Sequence, residues 1–324
     1  GDEVIVSPYT MTACAMAPLL FGAIPVFSDV EKETGCMDVK SIERALSKRT
    51  KAILVVHQFG IPADMDKIME LAKQHDLKVI EDCAQAHGAK YNNKYVGTFG
   101  AIGVFSLNVN KSIQTGEGGI CITDDEELAY RLALIRNHGE AVVGPAKYEN
   151  VVNIFGFNFR LTELQAAIAR EQLKKINKLN DHRLDLVEAF SRGLDNHPFL
   201  HPLSGRPGCY STYYVYPLRY ESGIARVERE EFVAALNAEG AQFYQGYVEP
   251  LYLQPLYQQQ SLFKHSYPFS APENRGHTAR YEKGTCSVAE LLHQKTMIIN
   301  EHIRFPHKKR DIEQLIQIVI KVTG

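Results

Sequence analysis

Short runs of β-branched residues alternate with stretches of helical period along the first third of the chain. EVIVS (3–7), IPVFSD (24–29), KAILVVH (51–57), LKVIED (77–82), AIGVFS (101–106) and GICITD (119–124) predict strands. Residues 12–21, 38–46 and 63–75 predict helices between them, the last because DMDKIMELAKQ spaces its apolar residues at helical intervals. Strands separated by helices make βαβ units, so the expected fold is α/β, a mainly parallel sheet with helices on both faces. In such sheets ligands collect at the carboxyl ends of the strands.

Beyond Asp125 the pattern changes. DEELAYRLALIRNHG predicts a helix, a loop runs through Pro145, and a single long helix is expected from about residue 162, with Thr162 as its N-cap, to residue 194. The Pro- and Gly-rich NHPFLHPLSGRPG predicts a boundary, dividing a large domain (1–194) from a smaller α+β domain (195–324). In the smaller part TYYVYPLRY and AQFYQGY predict strands and VEREEFVAALNAEG a helix. A loop rich in Tyr, Gln and Pro follows, then the terminal helix KKRDIEQLIQIVIKV.

Charge narrows the function. With 36 basic and 38 acidic residues and a formal charge of −2, the chain presents no positive excess for nucleic acid or anionic lipid. The most apolar stretch, TMTACAMAPLLFGAIPVFSDV, is broken by Pro18, Gly22 and Pro25, so it predicts a buried helix turning into a strand and not a membrane span. Six cysteines without a C-x-x-C pair or metal-like spacing predict reduced thiols, a cytoplasmic protein and no metal centre. GDEVIV opens the chain without an initiator Met or a signal-like segment, as expected of a fragment that starts inside a domain.

The candidate chemistry begins at VIEDCAQAHGA (79–89), where Glu81 and Asp82 end a predicted strand. Further on, FSLNVNKSIQTGEGG puts Ser106 at another strand end and Lys111 in the loop after it. Each has a plain reading by itself: Asp82 a helix cap, Lys111 a solvated lysine, TGEGG a tight turn. Together they offer a carboxylate, an amine and a hydroxyl at the mouth of one sheet. Pyridoxal phosphate needs that set, with an amine for its aldehyde, an acid beside its pyridine nitrogen and donors around its phosphate.

EDCAQAHGA, FSLNVNKSIQTGEGG, RNHGEAVV and GFNFRLTELQAAIAREQLKKI, with GDEVIVSPYTMTA, PVFSDV and HQFGIPADMDKI, resemble the DegT/DnrJ/EryC1/StrS aminotransferases, which make amino sugars. The resemblance is close to about residue 190 and looser beyond. It implies a type I pyridoxal-phosphate aminotransferase fold in a homodimer with shared active sites. Lys111 then resembles the Schiff-base lysine, Asp82 the pyridine partner, Gln85 the amide near the ring hydroxyl and Ser106 the phosphate-contacting serine. Asn158 is similar to the asparagine that reaches the partner subunit's phosphate, Arg160 faces substrate, and His57 and His138 match recurrent positions. His57 is carried as substrate-binding, against the plainer reading of each histidine as a partner for local backbone. Met11 stands where many members stack an aromatic ring on the cofactor, and its polarizable sulfur suits a ring face.

Related sugar dehydratases carry histidine at the lysine position, so Lys111 implies transamination. The resemblance further implies an amino-acid donor, glutamate or glutamine, and a nucleotide-linked keto sugar as acceptor, with a cyclitol ketone or a non-catalytic homologue as alternatives. The family has an upstream segment with a phosphate-binding turn, and the chain is expected to start after it. Tyr213, Tyr214 and Tyr216 and the segment YVEPLYLQPLY are left between sugar-site and core roles.

Overall fold

A computed structural model describes residues 1–139 and 154–324. The loop expected through Pro145, and residues 140–143 of the RNHGEAVV motif, lie outside the described residues.

All six strands expected in the first part form one sheet. They are β1 (Glu3–Val6), β2 (Ile24–Phe27), β3 (Thr50–Val56), β4 (Lys78–Asp82), β7 (Ile102–Ser106) and β8 (Gly119–Ile122), in the order β2-β1-β3-β4-β7-β8. Every neighbouring pair is parallel except β7 and β8. β2 is buried at all four positions, as expected of a strand covered on both faces. The helices α1 (Ala13–Leu20), α2 (Val39–Ala45) and α3 (Met65–Gln74) fall where the apolar spacing puts them. Asp38 caps α2 by accepting from the Lys40 and Ser41 amides.

Between β4 and β7 lies a hairpin that the periodicity does not predict, β5 (Lys90–Tyr91) and β6 (Lys94–Tyr95). Asn92 and Asn93 turn it at φ 47° and 63°, the left-handed pair of a two-residue turn, for which asparagine is well suited. β10 (Cys209–Tyr210) adds to β5 as a third strand.

After α4 (Glu126–Arg136) the expected single helix is two, α5 (Glu163–Leu173) and α6 (Ile176–Gly193), joined at Lys174 and Lys175. Their surroundings differ: α5 buries no residue, whereas α6 buries Asn180, Arg183, Leu186, Val187 and Phe190. Thr162 does cap α5, in a reciprocal box with Gln165. The smaller sheet is antiparallel, in the order β12-β13-β11-β9, from β9 (Leu200–Pro202), β11 (Tyr216–Tyr220), β12 (Phe243–Gln245) and β13 (Met297–Asn300). β9 and the central β13 were not expected, because each is a run of three or four residues inside a stretch that reads as loop. The rest comprises α7 (Ser222–Ala225), α8 (Arg229–Ala238), α9 (Pro255–Gln259), α10 (Ser287–Leu291) and α11 (Lys309–Thr323).

Two cores result. One surrounds the large sheet and recruits Tyr252, Tyr257, Phe269 and Tyr281 from the tail; the other joins the end of α6 to the smaller sheet. Among the described residues no helix is long and apolar enough to cross a membrane.

Gly103 shows how tightly β7 is held. A Cβ there would run into the Gly97 backbone on the neighbouring turn. Gly103→Ala is therefore expected to lower stability by about 1–3 kcal/mol, read from the midpoint of urea unfolding.

Candidate active site

Three turns at the carboxyl ends of β3, β4 and β7 build the site. Strand register brings them together, since Val56 lies opposite Asp82, and Asp82 opposite Val104. The His57 amide donates to the Asp82 carbonyl (3.1 Å), tying the first turn to the second.

Adjacent residues of a strand face opposite ways, and this separates the two acids. Glu81 is fully buried. Its Oε1 accepts from the Phe99 and Gly100 amides and its Oε2 from the Gly97 amide, all at 2.7 Å, and Oε2 also meets His57 Nε2 at 3.0 Å. Burial pushes the Glu81 carboxyl up, but the His57 contact and these amides outweigh it and hold it below the usual range. Glu81 is a structural anchor for the turn that crosses beneath β7.

His57, expected to bind substrate, belongs in the structure to the same anchor. It is fully buried, its Nδ1 accepts from the Ala63 amide (3.1 Å), and its proton therefore sits on Nε2 toward Glu81. Neither ring nitrogen is left for a ligand. His57, Glu81 and Cys83 also bring potential metal-ligating atoms within 4.8 Å of one another. The imidazole and carboxylate in that trio are already committed to hydrogen bonds, and burial pushes the Cys83 thiol well up.

Asp82 faces the other way and is only half-buried. Its Oδ1 accepts from the Ala84 amide and its Oδ2 from the Cys14 thiol, both at 2.9 Å. Lys111, in the loop after β7, lies in its field. Burial pushes the Lys111 ammonium down, and the charge of Asp82 recovers only part of the fall. Lys111 Nζ rests 4.6 Å from the centre of the Tyr214 ring, a cation–π contact. Ser106 ends β7, where its Oγ accepts from the Asn108 amide (3.2 Å) and starts the turn that leads to Lys111.

Gln85 closes one wall. It accepts from the Phe59 amide (2.7 Å) and donates to the Tyr247 hydroxyl (2.9 Å), joining the first two turns to the second half of the chain. Gly60 makes room for this junction: at φ 84° it lies against Thr212, Tyr213 and the Gln85 carbonyl, where any Cβ would clash.

Met11 is 54% exposed in the turn before α1, the helix whose Cys14 touches Asp82. Asn158 and Arg160 are held at the end of α4. Asn158 is exposed and bridged to Asn137, and Arg160 Nη1 donates to Asn137 Oδ1 (2.6 Å). His138, at φ 61°, donates its amide to the Phe157 carbonyl (2.8 Å). Of the tyrosines left open, Tyr216 is core and bonded to Ser191, while Tyr214 and Tyr247 belong to the site.

Sequence reasoning missed Cys14, His87 and Arg183. Burial, with Lys111 and Arg183 adding to it, pushes His87 down to about 4, so it is neutral at physiological pH. Buried Arg183 on α6 reaches Ser112 Oγ (2.8 Å) and the Thr212 carbonyl (3.3 Å), bracing the lysine loop against the segment that carries Tyr214. Only His87 had a local signal, its place in VIEDCAQAHGA.

The chain is similar to known aminotransferases. The chain is 36% identical over 253 residues to the GDP-perosamine synthase of Escherichia coli O157:H7, covering 78% of this chain and 68% of that protein. It is 38% identical over 268 residues to the L-glutamine:2-deoxy-scyllo-inosose aminotransferase of Micromonospora echinospora, covering 80% and 63%. The chain thus spans about two thirds of the length of these relatives. The solved structure of an aminotransferase from Psychrobacter cryohalolentis superposes with a TM-score of 0.84 at 31% identity, covering 99% of this chain and 81% of that one. With residues 1–273 matched by the family's own model, the chain belongs to the DegT/DnrJ/EryC1/StrS aminotransferase family.

Proposed function

We propose that the chain acts as a pyridoxal-phosphate-dependent aminotransferase, moving an amino group from glutamate or glutamine onto a nucleotide-linked keto sugar. The observation that carries this is Asp82 at the end of β4 with Lys111 in the loop after the neighbouring β7, close enough for the carboxylate charge to act on the ammonium. The donor set fits the cofactor. Each Asp82 oxygen accepts one protein donor and keeps lone-pair capacity for another, and Lys111 rests on an aromatic face.

When bound, pyridoxal phosphate supplies an aldehyde that exchanges between amines and a ring that withdraws electrons. Asp82 would hold a proton at the pyridine nitrogen by opposite charge. Lys111 would be the anchoring amine and, as a free amine, would carry a proton at the substrate carbon; its lowered basicity keeps more of it neutral for both tasks. Gln85 would orient the ring hydroxyl, Met11 would cover a ring face, Ser106 would hold the phosphate, and Arg160 would face substrate. Asn158 would complete the phosphate site of a second copy in a homodimer. Support for that pairing comes from α5, which buries nothing and leaves Leu164 80% exposed, beside exposed Phe155 and Phe159. A cyclitol ketone is the second acceptor, favoured by the inosose-aminating relative.

The test is an absorbance spectrum of the purified chain with pyridoxal phosphate, then borohydride reduction and peptide mapping. A visible band and a pyridoxyl label on Lys111 are expected. A label on another lysine sinks the assignment. Product analysis with a nucleotide-linked keto sugar and with an inosose then separates the acceptors.

A further inference from the structure

We infer that Cys14 is a positioning residue that sets the direction of the Asp82 carboxylate. The inference rests on the aminotransferase reading of Asp82 and goes beyond it to a second residue, one whose side chain is a thiol.

Cys14 is the second residue of α1 and is 4% exposed. Its Sγ donates to Asp82 Oδ2, while the Ala84 amide donates to Oδ1, so one donor from α1 and one from the turn after β4 hold the two oxygens. With both oxygens held, the carboxylate plane cannot swing about its own side-chain torsion without breaking a contact. Burial first, and the neighbouring Asp82 charge second, push the Cys14 thiol well up, so it stays protonated and remains a donor at physiological pH. A thiol is a weaker donor than a hydroxyl. It therefore aims Oδ2 while drawing little of its charge, and that charge is what holds a proton on a facing nitrogen and acts on Lys111. The pair is separated by 68 residues in sequence.

The competing explanation is packing, since a buried cysteine is also a small apolar filler. Serine and valine separate the two: serine keeps a donor and loses apolar surface, whereas valine keeps apolar volume and has no donor. For Cys14→Val and Cys14→Ala, equilibrium dialysis of pyridoxal phosphate is expected to show about tenfold weaker binding, the size of one hydrogen bond to a charged group. Cys14→Ser should stay within about threefold of wild type. Its visible band should titrate at lower pH, because a stronger donor on Oδ2 makes Asp82 a poorer partner for a ring proton. Valine matching wild type while serine fails would establish packing and overturn the inference.

A second readout needs no cofactor. The infrared S–H stretch falls where other protein groups do not absorb, and subtracting the Cys14→Ala spectrum isolates the Cys14 band. It is expected at the low-frequency, hydrogen-bonded side and to rise in Asp82→Ala. A band at the unbonded position in wild type overturns the contact itself. If Asp82→Ala binds pyridoxal phosphate as tightly as wild type, the reading of Asp82 falls and the inference with it. If Asp82→Ala weakens binding and Cys14→Val does not, the inference alone falls.

Discussion

Lys111→Ala is expected to cut amino transfer by ~10³-fold or more while leaving the fold intact, because the anchoring amine and the proton carrier are lost together. The cation–π interaction with Tyr214 contributes only about 0.5–2 kcal/mol, so the unfolding midpoint should move little. Lys111→Arg should fail to rescue, since a guanidinium does not give up its proton near neutral pH. The measurement is amino-sugar product formed from a keto-sugar acceptor and glutamate, beside a denaturant curve of each variant. Activity above a tenth of wild type in Lys111→Ala would remove Lys111 from the mechanism. Because burial lowers the Lys111 ammonium, its neutral form persists to lower pH than in an exposed lysine. Acid loss of activity should therefore begin below the range of an ordinary lysine.

Glu81→Ala carries the largest expected loss of stability, about 3–5 kcal/mol. It strands the Gly97, Phe99 and Gly100 amides and leaves His57 Nε2 without its partner, the Gly97 and His57 groups buried and the others partly so. The sign of the pH dependence follows from the depressed folded-state carboxyl. The contribution of Glu81 is fully present above the unfolded carboxylate value of roughly 4.3 and is lost as pH falls through the lower folded one. Guanidinium unfolding at neutral pH should show the full difference between wild type and Glu81→Ala, and the two curves should converge in acid. A difference that stays constant down to pH 2 would mean that the Glu81 charge contributes nothing.

Much of the site is legible in the sequence because its parts are short and local. Strands ending in an acid and in a serine, and a lysine in the following loop, need only the period of the chain and its turn residues to be recognised. The long helix expected after Thr162 divides because helical period persists through Lys174 and Lys175 while what the helix packs against does not. The hairpin at Asn92 and Asn93 does carry a local signal, two adjacent residues that tolerate positive φ. β13 has little: four residues, MIIN, become the second strand of a four-stranded sheet only because β11 and β12 arrive on either side.

By itself the sequence determined the six strands of the large sheet, their helices, and the placing of Asp82, Ser106 and Lys111 near strand ends. Local periodicity and turn chemistry suffice for that. Tertiary structure alone decided the surroundings of the two adjacent acids, Glu81 buried among backbone amides and Asp82 half-buried, since a strand offers both faces and packing chooses between them. It also supplied Cys14 to Asp82 and Tyr247 to Gln85, across 68 and 162 residues. Such contacts come from strand register and from the return of the second half of the chain onto the first, and no short stretch of sequence encodes either.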